Sequence, residues 1–283
     1  MSQVQTKRSK SFYFLAIFFA LFVVFLYGPI FAVIVLSFQG PNGGLTFPLN
    51  GFSIHWFFEL FKEQRVGDFK SSFTRSFILA ITVMILTVLI SLTAGLAFRK
   101  RFIGSTTVFY ITIASLIVPS ILITLGIGLM FDRMGFESTW YSSGLGAHLT
   151  WTLPFGLLIM FAVFNRFDKA YEEAARDLGA SPWQIVRYVI VPIIFPSLIG
   201  IGLFGFTLSF DEFARSLLAV GVTNTLPLEI FGMTTTVTTP TLYALGTVTT
   251  AVSFLVIGIS FAAILLSQRK RGKLGSDAGK GML

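Results

Sequence analysis

Two short polar segments hold most of the side chains that could do chemistry in this largely apolar sequence. The first is KAYEEAARDLGASPWQIVRYVIVP (169–192), which contains two adjacent glutamates. The second, FTLSFDEFARSLLAVG (206–221), contains another adjacent carboxylate pair, Asp211 and Glu212, among regularly spaced phenylalanines. Carboxylates beside aromatic rings can make ionic and cation–π contacts with an ammonium group. Both segments are therefore candidates for contact with a partner or a charged cargo.

Catalytic and metal sites have little support in the sequence. The chain has no Cys, and neither of its two histidines, His55 and His148, has neighbours at metal-ligand spacing. We expect both histidines to be ordinary residues of the membrane interface. No GxxxxGK(S/T) phosphate-binding loop is present, and GSDAGKG near the C-terminus is one residue too short and lacks the Ser or Thr. We therefore expect no catalytic residue, no metal and no cofactor bound by this chain.

The elements around these polar segments are apolar blocks. Hydrophobic residues make up 54% of the chain and charged residues 12%, and the mean hydropathy is +0.81. A soluble domain would need far more charge to cover its surface, so we predict an all-α integral membrane protein. A helix needs roughly 20 residues to cross a hydrocarbon core of about 30 Å. Six blocks approach this length and predict six transmembrane helices, near 12–38, 73–98, 106–131, 149–164, 188–210 and 244–267.

Three of these blocks have special features. The first follows Lys7, Arg8 and Lys10 and could be a secretory signal, but it is too long and has no clear small-x-small cleavage site. A retained helix is therefore favoured. Pro119 in the third block and Pro154 in the fourth should each free a backbone carbonyl and soften the helix. Either proline could serve a gate or an ordinary kink between packed helices.

The basic residues predict the orientation of the chain. Fifteen of the 21 Lys and Arg residues fall in one set of alternate gaps between the blocks, and six fall in the other. Because positive residues stay in the cytoplasm, both termini and 165–187 are predicted to be cytoplasmic, and 39–70 outside. The net charge of +8 could indicate nucleic-acid binding, but the basic residues are scattered, so no nucleic-acid partner is expected. Outside, FSIHWFFELF (52–61) is predicted to form a short interfacial helix.

The predicted organisation has three parts. Residues 1–70 hold the first transmembrane helix and the outer interfacial segment, and residues 71–267 hold a core of five transmembrane helices. Residues 268–283 form a basic cytoplasmic tail, whose first residues should anchor the last helix at the lipid headgroups.

The first polar segment has the composition of a helix, a sharp turn and a second helix. Glu172 and Arg176 are spaced i,i+4 and could pair on one face. Gly179 stands where a helix end favours φ > 0. Residues 181–184 (SPWQ) predict a capping box with Pro in the first helical position. Pro192 and a second proline four residues later should kink the following helix. The alternative is an ordinary solvated loop between two transmembrane helices.

The same segment resembles the EAA signature of the permease subunits of type I ABC importers, which runs Glu-Ala-Ala, three residues, Gly, nine residues, Ile-x-Leu-Pro. The spacing is kept here, with Val in place of both the Ile and the Leu, and the likeness extends over roughly 70–267. It implies that 169–178 is a coupling helix docking on a dimeric cytoplasmic ATPase, which would carry ATP and Mg. The implied coupling residues are Glu172, Glu173, Ala174, Ala175, Asp177, Gly179 and Pro192.

The second polar segment, with NTLPLEIFGM (224–233) after it, resembles the permeases of the polyamine importer group, and the chain is similar to the second of that group's two permeases. The resemblance implies a bacterial inner-membrane protein in the lipid bilayer. Its other partners would be a second, homologous permease and a periplasmic solute-binding protein, and its cargo a small organic cation. The candidate residues of the substrate pathway are Asp211, Glu212, Phe206, Phe210 and Phe213.

Several alternatives stay open on these residues. Asp211 and Arg215 are spaced i,i+4 and could simply pair, and the three phenylalanines could be packing residues. The same importer class could carry an amino-acid-like compound, thiamine, iron or an oxyanion. An ion-driven secondary transporter is disfavoured because no internal repeat is found and ionisable residues are rare within the blocks. A membrane-bound enzyme is disfavoured because no carboxylate cluster lies at membrane depth.

Overall fold

The computed structural model describes residues 9–62, 68–100, 102–236 and 239–280, with side chains described as far as residue 266. The side chains of the predicted tail therefore lie outside the described part. So do four basic residues that contributed to the predicted orientation: Lys7, Arg8, Arg65 and Arg101.

Helices account for the regular structure in these ranges, where the β-type pairing is one isolated bridge between Gln39 and Phe52. A π-helical turn at Val186–Ile190 joins two of the helices. The helices are α1 (Lys10–Leu36), α2 (His55–Glu59), α3 (Phe69–Phe98), α4 (Ser105–Ala114), α5 (Ser120–Arg133), α6 (Ser143–Asn165), α7 (Ala170–Asp177), α8 (Pro182–Ile185), α9 (Val191–Phe210), α10 (Leu226–Thr236) and α11 (Thr241–Lys280).

Five helices in the described part of the chain are long and apolar enough to cross a membrane. They are α1, α3, α6, the continuous helix Pro182–Phe210, and Thr241–Leu266 within α11. The prediction of an all-helical membrane protein is therefore confirmed. The prediction of six continuous transmembrane helices is not, because one of the six blocks is interrupted.

The interrupted block is the third, which was predicted as a single helix near 106–131. In the structure, α4 ends at Ala114 and α5 begins at Ser120. Pro119 has no N–H, and it disfavours a helical conformation in the residue before it, so the helix cannot run through this point unaided. The Ser115 hydroxyl donates to the backbone oxygen of Thr150 on α6 at 2.9 Å, which stabilises the broken turn. With its 10 residues, α4 is about 15 Å long and cannot cross a membrane alone.

The fourth block is longer at its start than the predicted 149–164. Helix α6 has 23 residues and begins at Ser143, because its first turns are buried despite their polar and glycine-rich composition. Pro154 lies inside α6 without ending it. The extension places His148, which was expected near an outer loop, within the first two turns of a candidate membrane-spanning helix, where its side chain is buried.

The chain divides into two compact units, Met1–Arg65 with Met233–Ala251, and Val66–Gly232 with Val252–Leu283. In the first unit, the fully buried side chain of Gln39 organises the loop after α1. Its amide nitrogen donates to the backbone oxygen of Gly44 at 3.2 Å, and its amide oxygen accepts from a backbone N–H of the same loop at 2.7 Å. This loop leads into α2, which is the observed form of the predicted helix at 52–61.

The second unit is built around α3, α6 and α9, which pack against one another. Small residues allow the helices to approach closely, as is common in membranes. A Cβ atom on Gly205 of α9 would lie 3.2 Å from the Cα of Met84 on α3. A Cβ atom on Gly95 of α3 would lie 2.9 Å from the Cβ of Met160 on α6. This three-helix core carries the polar segments at its two ends.

Candidate functional site

A Schellman motif ends α7 and forms the sharp turn of the first polar segment. Gly179 has φ +82°, and its N–H donates to the backbone oxygen of Arg176 at 2.9 Å. The N–H of Ala180 donates to the backbone oxygen of Ala175 at 3.0 Å. These two bonds satisfy carbonyls that a helix end leaves unpaired. The predicted positive φ at Gly179 is confirmed, and the turn is a defined structure rather than an irregular loop.

The predicted capping box follows directly. The backbone N–H of Ser181 donates to the side-chain oxygen of Gln184 at 2.7 Å, and the backbone N–H of Gln184 donates to the Ser181 hydroxyl oxygen at 3.4 Å. Pro182 occupies the first turn of α8, where a missing N–H costs nothing. Helix α8 therefore starts three residues after Gly179, with its first backbone groups satisfied.

The helix after the capping box runs through both of its prolines. The helix departs from α geometry in a π-helical turn at Val186–Ile190. The N–H of Val191 closes this turn by donating to the backbone oxygen of Val186. Pro192 lies at the start of α9, and Pro196 lies inside it. This turn lies directly before Pro192, and its bond to the fifth residue back accommodates a proline that cannot donate to the preceding turn. The kink expected at the two prolines stays a prediction.

The inner face of α7 is held by two side chains. Ala175 packs against the apolar core between α6 and α9. The carboxylate of Glu172 accepts from a guanidinium nitrogen of Arg99, at the end of α3. The suggested i,i+4 pairing of Glu172 with Arg176 is wrong, because the carboxylate is turned inward to a partner on another helix and Arg176 is exposed.

The outer face of α7 is exposed. Glu173, Ala174 and Asp177 all point away from the core. Two large apolar side chains accompany them, Leu178 at 89% exposure and Trp183 at 67%. We call these five residues the α7 surface. It combines carboxylates, a small side chain and exposed apolar groups, as an interface with another protein does. Among the predicted coupling residues, the structure thus separates Glu172 and Ala175, which face inward, from the rest of the EAA segment.

The second polar segment has two of its phenylalanines in the helix core. Phe206 and Phe210 are 2% and 1% exposed and stack on each other with ring centroids 5.4 Å apart. Each also meets a phenylalanine of α3 edge-on, at 5.9 and 6.0 Å. Phe213 lies beyond the helix end and packs against Phe231 at 5.0 Å. The first two rings hold α3 and α9 together and are not brought to the surface beside the carboxylates.

The two carboxylates at the end of α9 have different surroundings. Asp211 is exposed, although nearby protein atoms desolvate it and raise the pKa of its carboxyl group. Glu212 is half-buried, and its carboxylate accepts from the backbone N–H of Arg215 at 2.9 Å. No ion pair joins Asp211 to Arg215 in the described structure, so the suggested pairing of these two residues is wrong.

Arg215 is fully buried in contacts with α6. Its guanidinium carbon lies 4.9 Å from the ring centroid of Trp151, and one terminal nitrogen donates to the hydroxyl of Thr150. Desolvation lowers the pKa of Arg215, and the nearby charge of Glu212 opposes this shift. The arginine therefore fixes the segment after α9 against α6, and it leaves the Asp211 carboxylate without that cation.

A buried histidine extends this polar cluster and was missed in the sequence. His148 is 1% exposed, and its two ring nitrogens lie 2.8 Å from the hydroxyl oxygen of Ser209 and 3.0 Å from that of Ser216. The run HLTWT within an otherwise apolar helix is the signal that could have indicated it, because polar side chains within a membrane-spanning helix face other protein groups.

The other histidine is an ordinary surface residue. His55 lies on α2, 3.6 Å from the carboxylate of Glu59. Among the described residues, no group of three or more His, Cys, Asp and Glu side chains could hold a metal ion.

Two solved structures with a similar fold come from membrane transporters. The chain is similar to a bacterial ABC transporter involved in the import of the acidic polysaccharide alginate, with a TM-score of 0.68 at 13% identity, covering 91% of this chain and 94% of that one. It is also similar to the MetNI methionine ABC transporter, with a TM-score of 0.55 at 16% identity, covering 68% and 93%. At these identities the likeness establishes the fold alone, which is that of type I ABC importer permeases.

Curated relatives are similar over most of their length. One is the spermidine/putrescine transport system permease protein PotC of Haemophilus influenzae, 32% identical over 251 residues, which covers 88% of this chain and 93% of the relative. PotC of Escherichia coli K12 is 28% identical, covering 89% and 93%. The putrescine transport system permease protein PotI of Escherichia coli K12 is 26% identical, covering 79% and 80%. Residues 87–271 match the family described as "Binding-protein-dependent transport system inner membrane component". The chain belongs to this family of multi-pass inner-membrane transport subunits.

Proposed function

We propose that this chain is the permease subunit of a bacterial ATP-driven ABC importer that moves a small organic cation, a polyamine or a relative of one, from a periplasmic binding protein to the cytoplasm. The observation that carries the proposal is the α7 surface. It is joined through the Gly179 turn and the capping box to the long apolar helix that ends at Phe210. A module of this kind can receive a displacement from a soluble partner and deliver it into the membrane.

The energy source would be a separate chain. Because the sequence has no phosphate-binding loop, we place ATP and Mg on a dimeric cytoplasmic ATPase that docks on the α7 surface. Leu178 and Trp183 would supply the apolar centre of this contact, and Glu173 and Asp177 its polar edge. Glu172 and Ala175 would support the contact from behind, since they hold α7 against the core.

The remaining partners and the cargo are supported by the relatives. Their names describe transport systems for spermidine and putrescine or for putrescine, which supports a polyamine as the cargo here. The family description supports a periplasmic solute-binding protein as a partner. A second, homologous permease would complete the membrane part of the importer.

The proposed orientation places both termini and α7 in the cytoplasm, in keeping with the distribution of basic residues. We count α4 and α5 together as the third of six membrane crossings. They have 10 and 14 residues, which together are enough for about 36 Å of helix.

Transport would follow from displacement of α7. Closure of the ATPase dimer would move the α7 surface, the helix Pro182–Phe210 would tilt with it, and the transport pathway would change from outward to inward access. Asp211 and Glu212 lie at the opposite end of this helix from α7, so they would face the incoming cation. Their negative charge would attract an ammonium group, and the stacked rings of Phe206 and Phe210 would keep the helix end in place.

Copurification and reconstitution test this proposal. We expect the tagged chain to bring down an ATPase and a second permease. In proteoliposomes with the binding protein, the complex should take up putrescine only when ATP is supplied. Uptake by the chain alone, driven by an ion gradient without ATP, would instead identify a secondary transporter. ATP-dependent uptake of thiamine, iron or an oxyanion in place of putrescine would support the assignment as an ABC importer and contradict the assignment of a polyamine as its cargo.

A further inference from the structure

An ion pair between Arg99 and Glu172 joins α7 to α3, a helix that lies outside the EAA signature. The guanidinium of Arg99, the residue that caps the C-terminus of α3, donates to the carboxylate of Glu172 on α7, 73 positions later in the sequence. Helix α7 is therefore attached to α3 as well as to its neighbours in the chain. The chain joins it to α6 before it and, through the Gly179 turn, to α8 and α9 after it, and the ion pair joins it to α3.

The surroundings of this ion pair make it stronger than an ordinary surface pair. The side chains of Arg99 and Glu172 are only 20% and 15% exposed. The guanidinium carbon also lies 4.9 Å from the ring centroid of Phe164 and 5.5 Å from that of Phe167. Exposed pairs contribute little because water screens them, whereas a shielded arginine that both stacks on rings and donates to a carboxylate is held in one position.

The end of α3 is itself firmly seated. A Cβ atom on Gly95, one turn before Arg99, would lie 2.9 Å from a ring carbon of Phe164 and from the Cβ of Met160, so α3 and α6 are in close contact there. Farther along, α3 packs against α9 as well. A side chain anchored to the end of α3 is therefore anchored to the three-helix core, and a displacement of Glu172 is transmitted to that core.

The two adjacent glutamates of α7 face opposite ways. Glu173, the glutamate of the signature, is exposed, whereas Glu172 is turned toward Arg99. We propose that Arg99 is a positioning residue of the transport cycle: through Glu172 it ties α7 to α3, so that a displacement of α7 moves α3 together with α9. This inference rests on the proposed function, and it assigns to α3 a direct share of the displacement that the chain connections alone would deliver to α6 and α9.

A distance measurement tests the link without depending on transport. Because the chain has no Cys, spin labels on Ala97→Cys of α3 and Arg176→Cys of α7, both exposed positions, report the separation of these two helices in the reconstituted complex. With Arg99 present, the distance between the labels should stay the same when the ATPase is trapped in its closed, nucleotide-bound state. In Arg99→Gln, the distance distribution should broaden, and its mean should shift between the two states.

The matched functional measurement is the number of cargo molecules transported per ATP hydrolysed. We expect Arg99→Gln to lower this ratio by roughly two- to thirtyfold, as disruption of a coupling contact does, while the ATPase still copurifies. Arg99→Lys should fall in between, because it keeps the charge but loses the planar donor group. Glu173→Gln is the control, and it should weaken copurification of the ATPase without changing the distance between the labels.

If the single variants express poorly, exchange of the two charges tests whether the ion pair links α7 to α3. The double variant Arg99→Glu with Glu172→Arg should recover part of the ratio and the narrow distance distribution. A double variant as defective as the single ones would overturn the link, as would an unchanged distance distribution in Arg99→Gln. If no ATPase copurifies with the unmodified chain, the proposed function fails, and that result is separate from either outcome for Arg99.

Discussion

His148 bridges Ser209 and Ser216 inside the protein, and the bridge defines the tautomer of the imidazole. The hydroxyl of Ser216 donates to the backbone oxygen of Glu212 at 2.7 Å, so its single hydrogen is already used. The ring nitrogen Nε2 must therefore carry the hydrogen that it shares with Ser216 at 3.0 Å, and Nδ1 accepts from Ser209 at 2.8 Å. A neutral imidazole with its hydrogen on Nε2 satisfies both serines at once.

Replacement of this histidine tests the bridge. His148→Phe keeps a ring but removes the acceptor of the buried Ser209 hydroxyl, while the Ser216 hydroxyl keeps its bond to the backbone oxygen of Glu212, so the free energy of unfolding should fall by about 1–3 kcal/mol for the one unsatisfied donor. His148→Gln can still place an amide near Ser216 and should lose less. Thermal unfolding of the purified proteins in detergent shows whether the stabilities follow this order, with the unmodified protein highest, His148→Gln next and His148→Phe lowest. A Phe variant as stable as the unmodified protein would mean that the hydroxyls find other partners.

The Gly179 turn should tolerate residues according to their preference for positive φ. No heavy atom lies within 4 Å of a Cβ atom built on Gly179, so a substitution there affects the backbone conformation rather than the packing. Gly179→Val should abolish transport while the protein still inserts in the membrane, because a β-branched residue resists φ +82°.

Gly179→Asn is the matched control, since asparagine adopts the left-handed conformation more readily, and it should retain most of the uptake. Uptake and membrane content are measured together for both variants. Normal uptake by the Val variant would show that the turn does not need this conformation.

The orientation can be checked with single cysteines. Ser181→Cys, next to the Gly179 turn, should react with a membrane-impermeant maleimide only in inverted vesicles, because we place this turn in the cytoplasm. Asn42→Cys, in the exposed loop after α1, should react in intact cells. Labelling of the Ser181 position from the outer face of intact cells would contradict the orientation.

The two carboxylates at the end of α9 should contribute unequally to cation uptake. Asp211 has no ion-pair partner among the described residues, whereas Glu212 accepts a backbone N–H, which a glutamine oxygen can also accept. Asp211→Asn should therefore lower diamine uptake more than Glu212→Gln does. The initial rates of putrescine uptake into proteoliposomes, measured at several putrescine concentrations, show the loss in each variant. Equal loss of uptake and of complex assembly in both variants would indicate a purely structural role.

The predictions that succeeded rest on local signals. The positive φ of Gly179 and the capping box of Ser181 and Gln184 depend on residues within a few positions of one another, so the sequence alone determines them. The identity of the family rested on the same short stretch. Composition alone was enough to predict an all-helical membrane protein.

The predictions that failed concern partners that are distant in sequence. The proposed partners for Glu172 and Asp211 were the cations four residues away, but Arg99 reaches Glu172 from another helix and Arg215 turns to Thr150 and Trp151. Local spacing shows which residues can meet, while the packing of helices determines which of them do. The break before Pro119 combines a local and a distant cause, because the proline stops the helix and α6 supplies the carbonyl that stabilises the broken turn.

The π-helical turn at Val186–Ile190 has a consequence for the length of the signature. A turn closed by a bond to the fifth residue back holds one residue more than an α-helical turn, and one residue corresponds to about 100° of rotation around the helix axis. Deletion of one residue here would let the turn relax to an α-helix, so Leu178 and Glu173 would stay on nearly the same side of α9, whereas a deletion in a turn that is already α-helical would rotate them by about 100°. The π-helical turn therefore allows the segment between Gly179 and α9 to lose one residue while the direction in which α7 faces is kept.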